Sequence, residues 1–205
     1  MQYPYRYIFF RRSTAVLICL LLVFFVACTK QDQESQLAQQ EKNIDSFIQG
    51  LIKSDTTTVV VYLPNSVRVI LHHGLGDPRV SDETTIPGDV VAQGDRVSFD
   101  YVGYVFSGSS GKGMLFATNL IEEAEDAKWV LSAWPPDYGN NVVGEGYYIP
   151  GLDAGLTGMY LGEHAYIVFS ARHGFGNTEM GIIPKMSPLL FEVQITEIIK
   201  KQRND

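Results

Sequence analysis

Four runs of β-branched or alternating apolar residues, each bounded by turn signals, constrain the fold of this chain most strongly. They cover residues 56–71, 97–106, 164–171 and 189–196. Alternation puts every second side chain on the same face, as a strand with one buried face requires. Between the second and third runs, the segment PGLDAGLTGM carries Pro150 as a helix start signal and Gly158 as a stop signal. These patterns predict an α+β domain, in which an antiparallel sheet carries one short helix on one face.

Residues 1–27 are predicted to be a secretory signal peptide. The start of the chain carries Arg6, Arg11 and Arg12 and no acid, and residues 15–27 are unbroken apolar sequence. This stretch is shorter than the roughly 20 residues of a membrane-spanning helix. Residues 25–28, FVAC, are similar to a bacterial lipobox, in which Cys28 would be lipidated and become the first mature residue. The alternative is an ordinary signal peptide followed by a chance cysteine.

Cysteine and charge content limit what the mature chain can do. The two cysteines are Cys19, inside the predicted signal, and Cys28, so the mature domain has no disulfide and depends on core packing. Removal of the signal leaves 13 basic against 23 acidic residues, which takes the net charge from −7 to −10. Such a surface repels nucleic acid and anionic lipid, so membrane attachment is expected through the N-terminal lipid.

Two segments are predicted between the signal and the sheet. Residues 28–43 are polar and rich in Gln and Glu, which favours a solvated tether. Residues 44–55 are predicted to form an amphipathic helix, and residues 56–200 the folded domain. The apolar stripe of this helix, at helical spacing, consists of Ile44, Phe47, Ile48, Leu51 and Ile52. Two interpretations are open: the stripe packs on its own domain, or it forms a dimer.

The sequence carries none of the common catalytic or metal-binding motifs. There is no G-x-S-x-G elbow and no H-E-x-x-H helix, and no free thiol remains after Cys28. His72 and His73 are adjacent on a predicted strand and should point to opposite faces, which suits no single metal ion. His164 and His173 are isolated in sequence. No metal and no cofactor is therefore expected.

Four motifs follow one another between about Val91 and Ile199. They are GDRVSFDYVGYV, LFATN, YIPGLDAGLTGMYLGEHAYIVFSARHGFG and MGIIPKMSPLLFEVQITEI. In this order they resemble the FKBP-type peptidyl-prolyl cis-trans isomerase family. The resemblance implies an FKBP-like antiparallel sheet wrapped around one short α-helix, here preceded by the N-terminal amphipathic helix.

The resemblance also implies a proline-binding pocket. Ile149 matches the residue whose backbone N–H receives a substrate carbonyl, and Ile183 is the expected pocket-facing residue of the flap Gly181-Ile-Ile-Pro184. Residues 132–147 look like an insertion relative to the family. The catalytic set implied by the resemblance is Tyr101, Phe116, Ile149, Leu152, Phe175, Ile183 and Phe191, and the substrate-binding set is Tyr148, Trp129 and Ile182.

Such a pocket needs no nucleophile or acid–base pair. Rotation about a peptide bond faces a barrier of about 18–20 kcal/mol from amide resonance, and an apolar enclosure favours the twisted, less polar form. Three positions depart from the family pattern. Ala117 replaces an aspartate, Phe175 a tyrosine and Leu152 a tryptophan, so activity is expected to be weakened.

The expected function is that of a lipid-anchored isomerase that assists folding of proline-containing exported polypeptides on the periplasmic side of the cell envelope. Thr29 follows the lipidated cysteine where some inner-membrane lipoproteins carry aspartate, which favours the outer membrane. The alternative is a non-catalytic FKBP-like binding or chaperone module of an envelope assembly. A narrower hypothesis is kinship with the gliding-motility-associated isomerase lipoproteins of Bacteroidetes.

Overall fold

The structure is a computed structural model that describes residues 5–75, 77, 89–108, 110–126 and 138–202, with the backbone alone for residues 5–29. The chain divides into two compact units, residues 1–38 and residues 39–205. The predicted site residue Trp129 and part of the predicted insertion lie outside the described residues.

The first helix, α1, spans Tyr5–Ser54. It includes most of the predicted signal, the predicted tether and the predicted amphipathic helix, so the backbone of residues 28–43 is helical. Residues 30–36 are mostly exposed, as their polar composition requires. Among the described residues, no helix is apolar enough over a sufficient length to cross a membrane.

The second unit contains an antiparallel sheet and short helices. Strand order is β1-β2-β6-β7-β3-β4, with β5 paired to β3, among the residues that the structure describes. This confirms the predicted α+β class, although β4, β5 and the helix α2 were not predicted. The strands are β1 Val59–Tyr62, β2 Val67–His72, β3 Arg96–Ser107, β4 Gly111–Thr118, β5 Asn140–Val142, β6 His164–Phe169 and β7 Leu189–Ile199, and the later helices are α2 Ile121–Asp126, α3 Pro150–Leu156 and a 3₁₀ turn Ala171–His173.

Strand β7 lies in the middle of the sheet and has both faces covered. It pairs with β6 in a register that places Phe191 opposite Ile167, and with β3 in a register that places Phe191 opposite Gly103. Phe191 belongs to the core cluster under α3, whereas the next residue back, Leu190, belongs to a second cluster on the other face. Because successive side chains of a strand point to opposite faces, β7 contributes residues to both core clusters.

Helix α3 lies directly on β6 because two of its residues have no side chain. A Cβ added to Gly151 would lie 2.2 Å from the Phe169 ring, and one added to Gly155 would lie 2.2 Å from Ile167. Both distances are far below van der Waals contact, so only glycine permits this approach. The two glycines are four residues apart and face the sheet together. Their spacing explains how a seven-residue helix can pack flat on a strand.

The end of α3 is held by a buried arginine. Arg68 of β2 donates to the carbonyl oxygens of Gly155 at 2.9 Å, Thr157 at 3.0 Å and Gly158 at 3.1 Å. Its Nε lies 3.2 Å from a carboxylate oxygen of Glu163, which is fully buried. The guanidinium thus neutralises a buried charge and satisfies carbonyl groups at the helix C-terminus, where a cation is also favoured by the helix dipole.

Residues 44–52 of α1 pack on the sheet face opposite α3. Ile44 and Ile48 are buried in a cluster with Val69, Val168 and Leu190. This burial supports the intramolecular alternative of the sequence analysis. Self-association of the chain stays a prediction.

Gln40 of the same helix bridges two loops. Its side chain donates to the Met186 carbonyl at 2.6 Å and accepts from the Ala171 N–H at 2.9 Å. Met186 lies two residues after the flap, and Ala171 begins the 3₁₀ turn after β6. Backbone N–H and C=O groups that are buried or half-buried outside the sheet need hydrogen-bond partners of this kind. The helix therefore fixes loop segments as well as covering apolar surface.

We predict that Glu192 makes the stability of the domain sensitive to acid. A hydrogen bond from His164 is the largest cause that lowers its pKa to about 2, with Lys112 acting in the same direction against desolvation. The contact distances are 3.0 Å to His164 and 2.6 Å to Lys112. A depressed carboxylate pKa stabilises the fold above the unfolded value of 4.5, and this contribution is lost as pH falls toward 2.

The measurement is the free energy of unfolding of the wild type and of Glu192→Gln between pH 6 and pH 2. The difference between the two proteins should be largest near the upper limit and shrink toward the lower one. Glu197→Gln removes an exposed carboxylate from the same strand and serves as the matched control. Identical pH profiles for the wild type and Glu192→Gln would contradict the prediction.

Candidate functional site

Four aromatic rings from four strands meet on the sheet face under α3. Phe191 of β7 contacts Phe116 of β4 edge to face, with ring centroids 5.5 Å apart and planes at 83°. Its centroid lies 6.2 Å from that of Tyr101 on β3 and 6.0 Å from that of Phe169 on β6. Edge-to-face and tilted pairs of this kind are stabilising beyond the area that they bury. Phe191 is therefore the centre of the aromatic set that the sequence predicted.

Hydrogen bonds with the side chains of Asn119 and Thr118 hold the backbone of Tyr101 in place. Its N–H donates to the side-chain oxygen of Asn119 at 2.8 Å, and its carbonyl accepts from the Thr118 hydroxyl at 2.8 Å. The amide of Asn119 also donates to the Phe99 carbonyl at 3.0 Å. The sequence predicted no role for Asn119, which is the last residue of the motif LFATN. A short polar residue directly after a strand was the available signal.

Helix α3 and the residue before it form another wall. Leu152 is fully buried in the same core cluster as the aromatic rings, and half-buried Ile149 packs against that cluster. Ile149 is the N-cap residue of α3, with φ −62° and ψ 147°, and its carbonyl accepts from the Asp153 N–H at 3.0 Å. The Pro150 ring that follows has no N–H, so the helix begins there without an additional unsatisfied donor.

The flap is a tight turn with one residue in and one out. Met180 and Ile183 exchange backbone hydrogen bonds of 3.1 and 3.0 Å, and Gly181 adopts a φ of 61°. Ile183 is fully buried in the core cluster, whereas Ile182 at the tip is 52% exposed. The structure brings Ile183 to the aromatic set and leaves Ile182 on the surface. Contact of Ile182 with a substrate stays a prediction.

Ala117 and Phe175, two of the predicted departures from the family pattern, place apolar side chains at the site. Ala117 is buried beside Phe116, and Phe175 is half-buried against the same core cluster. Neither position supplies a carboxylate or hydroxyl to the enclosure. At these two positions the described wall of the site is therefore apolar.

The histidines do not form a metal centre in the described part of the chain. His72 stacks on His164 with centroids 5.6 Å apart, whereas Nδ1 of His73 lies 2.7 Å from the Asp77 carboxylate. The adjacent histidines thus have separate partners. Nowhere among the described residues do three side chains of the metal-ligating types come together.

Tyr138 joins the site and was missed from the sequence. It lies in the predicted insertion, two residues before β5, and its ring makes edge contacts with Tyr101 at 5.8 Å and Tyr148 at 5.5 Å between centroids. β5 pairs with β3 through Ser98 and Asn140, which brings this end of the insertion beside the site. An aromatic residue inside a segment recognised as an insertion was the only available signal.

The hydroxyl groups of the site stay neutral. Burial raises the pKa of Tyr101 to about 12. Burial also raises the pKa of Tyr138 and of Tyr148, in Tyr148 against the opposing effect of the Asn141 backbone N–H, which donates to its hydroxyl oxygen. The Asn141 bond to Tyr148 measures 2.8 Å. Neutral phenols can give and take hydrogen bonds but supply no charge for acid–base chemistry at neutral pH.

We predict that Phe191→Ala lowers the stability of the folded domain. The side chain is fully buried and touches three other rings, so its removal leaves a large cavity. The free energy of unfolding should fall by about 3–5 kcal/mol. Ile182→Ala removes an apolar side chain that is half exposed and should change it by about 0.5 kcal/mol or less. Urea unfolding of the two variants checks this, and a loss below about 1 kcal/mol for Phe191→Ala would contradict it.

The family model for FKBP-type peptidyl-prolyl cis-trans isomerase matches residues 139–196. FK506-binding protein 1 of Aspergillus oryzae is 32% identical over 114 residues, which cover 54% of this chain and 89% of that protein. Peptidyl-prolyl cis-trans isomerase FKBP9 of Homo sapiens is 29% identical over 119 residues, which cover 57% of this chain and 19% of that longer protein.

Solved structures show the same fold. The crystal structure of a peptidyl-prolyl cis-trans isomerase from Pseudomonas syringae superposes with a TM-score of 0.52 at 18% identity, over 82% of this chain and 96% of that one. The three FKBP domains of wheat FKBP73 give the same TM-score and identity over 70% of this chain and 52% of that one.

Proposed function

This chain belongs to the family of FKBP-type peptidyl-prolyl cis-trans isomerases, and we propose that it isomerises Xaa–Pro bonds at the cell envelope with reduced activity, assisting the folding of exported proteins. The observation that carries the proposal is the convergence of Tyr101, Phe116 and Phe191 into one aromatic set, closed by Leu152 and Ile183. An apolar enclosure of this kind suits a proline ring and disfavours polar side chains.

The enclosure would act on the substrate without forming a bond to it. Amide resonance accounts for the barrier of about 18–20 kcal/mol to rotation. The twisted state lacks that resonance and is less polar, so an apolar site that excludes water stabilises it relative to the planar state. The Ile149 N–H would receive a substrate carbonyl and fix the register of the peptide. Uncatalysed isomerisation takes tens to hundreds of seconds and can limit folding.

Reduced activity follows from the side chains that replace polar anchors. The walls at Ala117 and Phe175 carry no hydrogen-bonding group, so the peptide on either side of proline would be held by fewer directional contacts. Leu152 provides a smaller floor than the tryptophan usual in the family. The same substitutions motivate the alternative, a non-catalytic binding or chaperone module of an envelope assembly, which would bind proline peptides without accelerating isomerisation.

The envelope assignment comes from the N-terminal sequence. Arg6, Arg11 and Arg12 precede an apolar stretch that ends at Cys28, and this order supports export and lipidation. The clients would be proline-containing exported polypeptides on the periplasmic side, with the protein held in the outer membrane by its lipid. The combination of lipobox and isomerase domain also motivates a narrower proposal, kinship with the gliding-motility-associated isomerase lipoproteins of Bacteroidetes.

We predict that Phe175→Tyr raises isomerase activity. A hydroxyl at this half-buried position can reach the peptide, and one hydrogen bond contributes about 0.5–1.5 kcal/mol, which corresponds to about 2- to 10-fold in kcat/KM. The measurement is cis-to-trans conversion of a proline-containing tetrapeptide by the full chain. Phe47→Tyr makes the same change at a half-buried position on the opposite sheet face and should leave the rate unchanged.

The same assay separates the two functions. A wild-type rate above background, raised further by Phe175→Tyr, supports the weakened isomerase. Peptide binding without acceleration in both the wild type and Phe175→Tyr would contradict the enzyme and favour the binding module.

We predict that Cys28 carries the lipid anchor. Cells expressing the wild type and supplied with a labelled fatty acid should incorporate label into the protein, which should fractionate with membranes. Cys28→Ser should abolish both properties because the thiol is the site of attachment. Cys19→Ser alters the other cysteine of the chain and should keep both. Label retained in Cys28→Ser would show that the anchor lies elsewhere.

A further inference from the structure

A closed ring of four hydrogen bonds joins α1 to two loop segments beside the proposed site. The Gln40 side chain donates to the Met186 carbonyl at 2.6 Å, and the Met186 N–H donates to the Gly176 carbonyl at 2.8 Å. The Gly176 N–H donates to the Ala171 carbonyl at 2.9 Å, and the Ala171 N–H donates to the Gln40 side-chain oxygen at 2.9 Å. Because each residue accepts one bond and donates the next, the bonds polarise one another. The amide of Gln40 supplies both the donor and the acceptor that close the ring.

Two residues of the proposed site lie next to members of this ring in the chain. Phe175 directly precedes Gly176, and Ile183 lies three residues before Met186. Ile183 is fully buried in the core cluster, and Phe175 packs against the same cluster. The ring therefore ties the backbone that carries one wall of the enclosure to the backbone that carries another.

Met186 has a backbone conformation that depends on its contacts. Its φ is 55°, in the left-handed region that residues with a side chain rarely adopt. Its N–H and its carbonyl are both bonded within the ring. A conformation of this kind persists where the surrounding structure determines it, and such positions are concentrated at functional sites. Gln40 provides one of the two bonds that hold it.

The packing of α1 fixes the position of Gln40. Gln40, Ile44 and Ile48 are four residues apart and share one face of the helix. Ile44 and Ile48 are buried in the cluster on the sheet, and Gln40 is half-buried one turn before them. The motifs that carry the family resemblance begin at about Val91, so Gln40 reaches the loops from an element outside them.

We propose that Gln40 is a positioning residue of the proline site, which sets the separation of the flap and the 3₁₀ turn through its bonds to Met186 and Ala171. The proposal rests on the proposed function, since it assumes that peptides bind in this enclosure. An intact ring holds the two loop segments in a binding-competent arrangement before a peptide arrives. An open ring lets them adopt other arrangements, and the apparent affinity then falls with the fraction of molecules in the competent one.

Two substitutions open the ring in different places. Gln40→Met keeps the length of the side chain and removes both hydrogen-bonding groups, so a proline-containing tetrapeptide should bind about 2- to 10-fold more weakly. Gln40→Glu keeps an acceptor for the Ala171 N–H but has no donor for the Met186 carbonyl, and should also bind more weakly. Gln39→Met is the matched control, because the Gln39 amide donates to Asn43 at 2.9 Å on the exposed side of the helix. It should bind as the wild type does.

The experiment is a titration of the full chain with the tetrapeptide in detergent micelles, combined with hydrogen exchange of the backbone amides. Without peptide, exchange of the Ala171 N–H should be slow in the wild type and in Gln40→Glu, and faster by about 10-fold or more in Gln40→Met. Exchange of the Met186 N–H should be faster in both Gln40 variants and unchanged in Gln39→Met.

Equal peptide affinity of Gln40→Met and the wild type would overturn the proposal, as would an equal loss of affinity in Gln39→Met. The urea midpoint of each variant separates positioning from general stabilisation. A lower midpoint for Gln40→Met with unchanged peptide affinity would show that the ring only stabilises the fold. In an active enzyme the effect should appear in KM more than in kcat, because the ring acts on binding.

Isomerisation measured on the same samples distinguishes this inference from the proposed function. Weaker binding by Gln40→Met, with a wild-type rate that stays at background, would uphold the positioning role and contradict the enzyme. Catalysis by the wild type with an unchanged KM in Gln40→Met would do the reverse. Absence of peptide binding by the wild type would contradict both, because no site would then exist to be positioned.

Discussion

The close approach of α3 to β6 is the constraint on which the rest of the domain depends. Because Gly151 and Gly155 carry no side chains, the helix sits against the strand and presents Leu152 to the aromatic rings beneath it. Arg68 fixes the far end of the helix by bonding its terminal carbonyls, and the buried Glu163 balances the charge. The near end begins at Ile149. The position of the proposed carbonyl-binding N–H is thus set by backbone packing rather than by a flexible loop.

Much of this arrangement follows from patterns that are local in the sequence. Alternation predicts β3, β6 and β7, and the Pro150 and Gly158 signals predict α3 with almost correct limits. The flap buries Ile183 and exposes Ile182, and contact of either residue with a substrate stays a prediction. These features succeed because each depends on neighbours within a few residues. β4 was not predicted because its first residues, Gly111, Lys112 and Gly113, are more typical of turns than of strands.

Other features depend on partners far away along the chain and could not be read from local pattern. The stripe at Ile44 and Ile48 shows that a helix has an apolar face, but only the fold shows that Val168 and Leu190 cover it. The carbonyl-binding role of Arg68 likewise depends on α3, whose Gly155 lies 87 residues later in the chain. Tyr138 belongs to the same group, because β5 must pair with β3 before its ring can reach Tyr101. Long-range pairing decides these contacts.

A site built from core side chains has little freedom to change its walls. Phe116 and Phe191 are buried against each other in the core, so a polar group placed at either position would cost stability. Variation costs least stability at the edge, where Phe175 and Tyr138 are half-buried against the same core cluster. At this edge the side chain of Phe175 has no hydrogen-bonding group, whereas Tyr138 carries a phenol. The proposed site would therefore change its polar contacts first at the edge, because the rings of the core are fixed by packing.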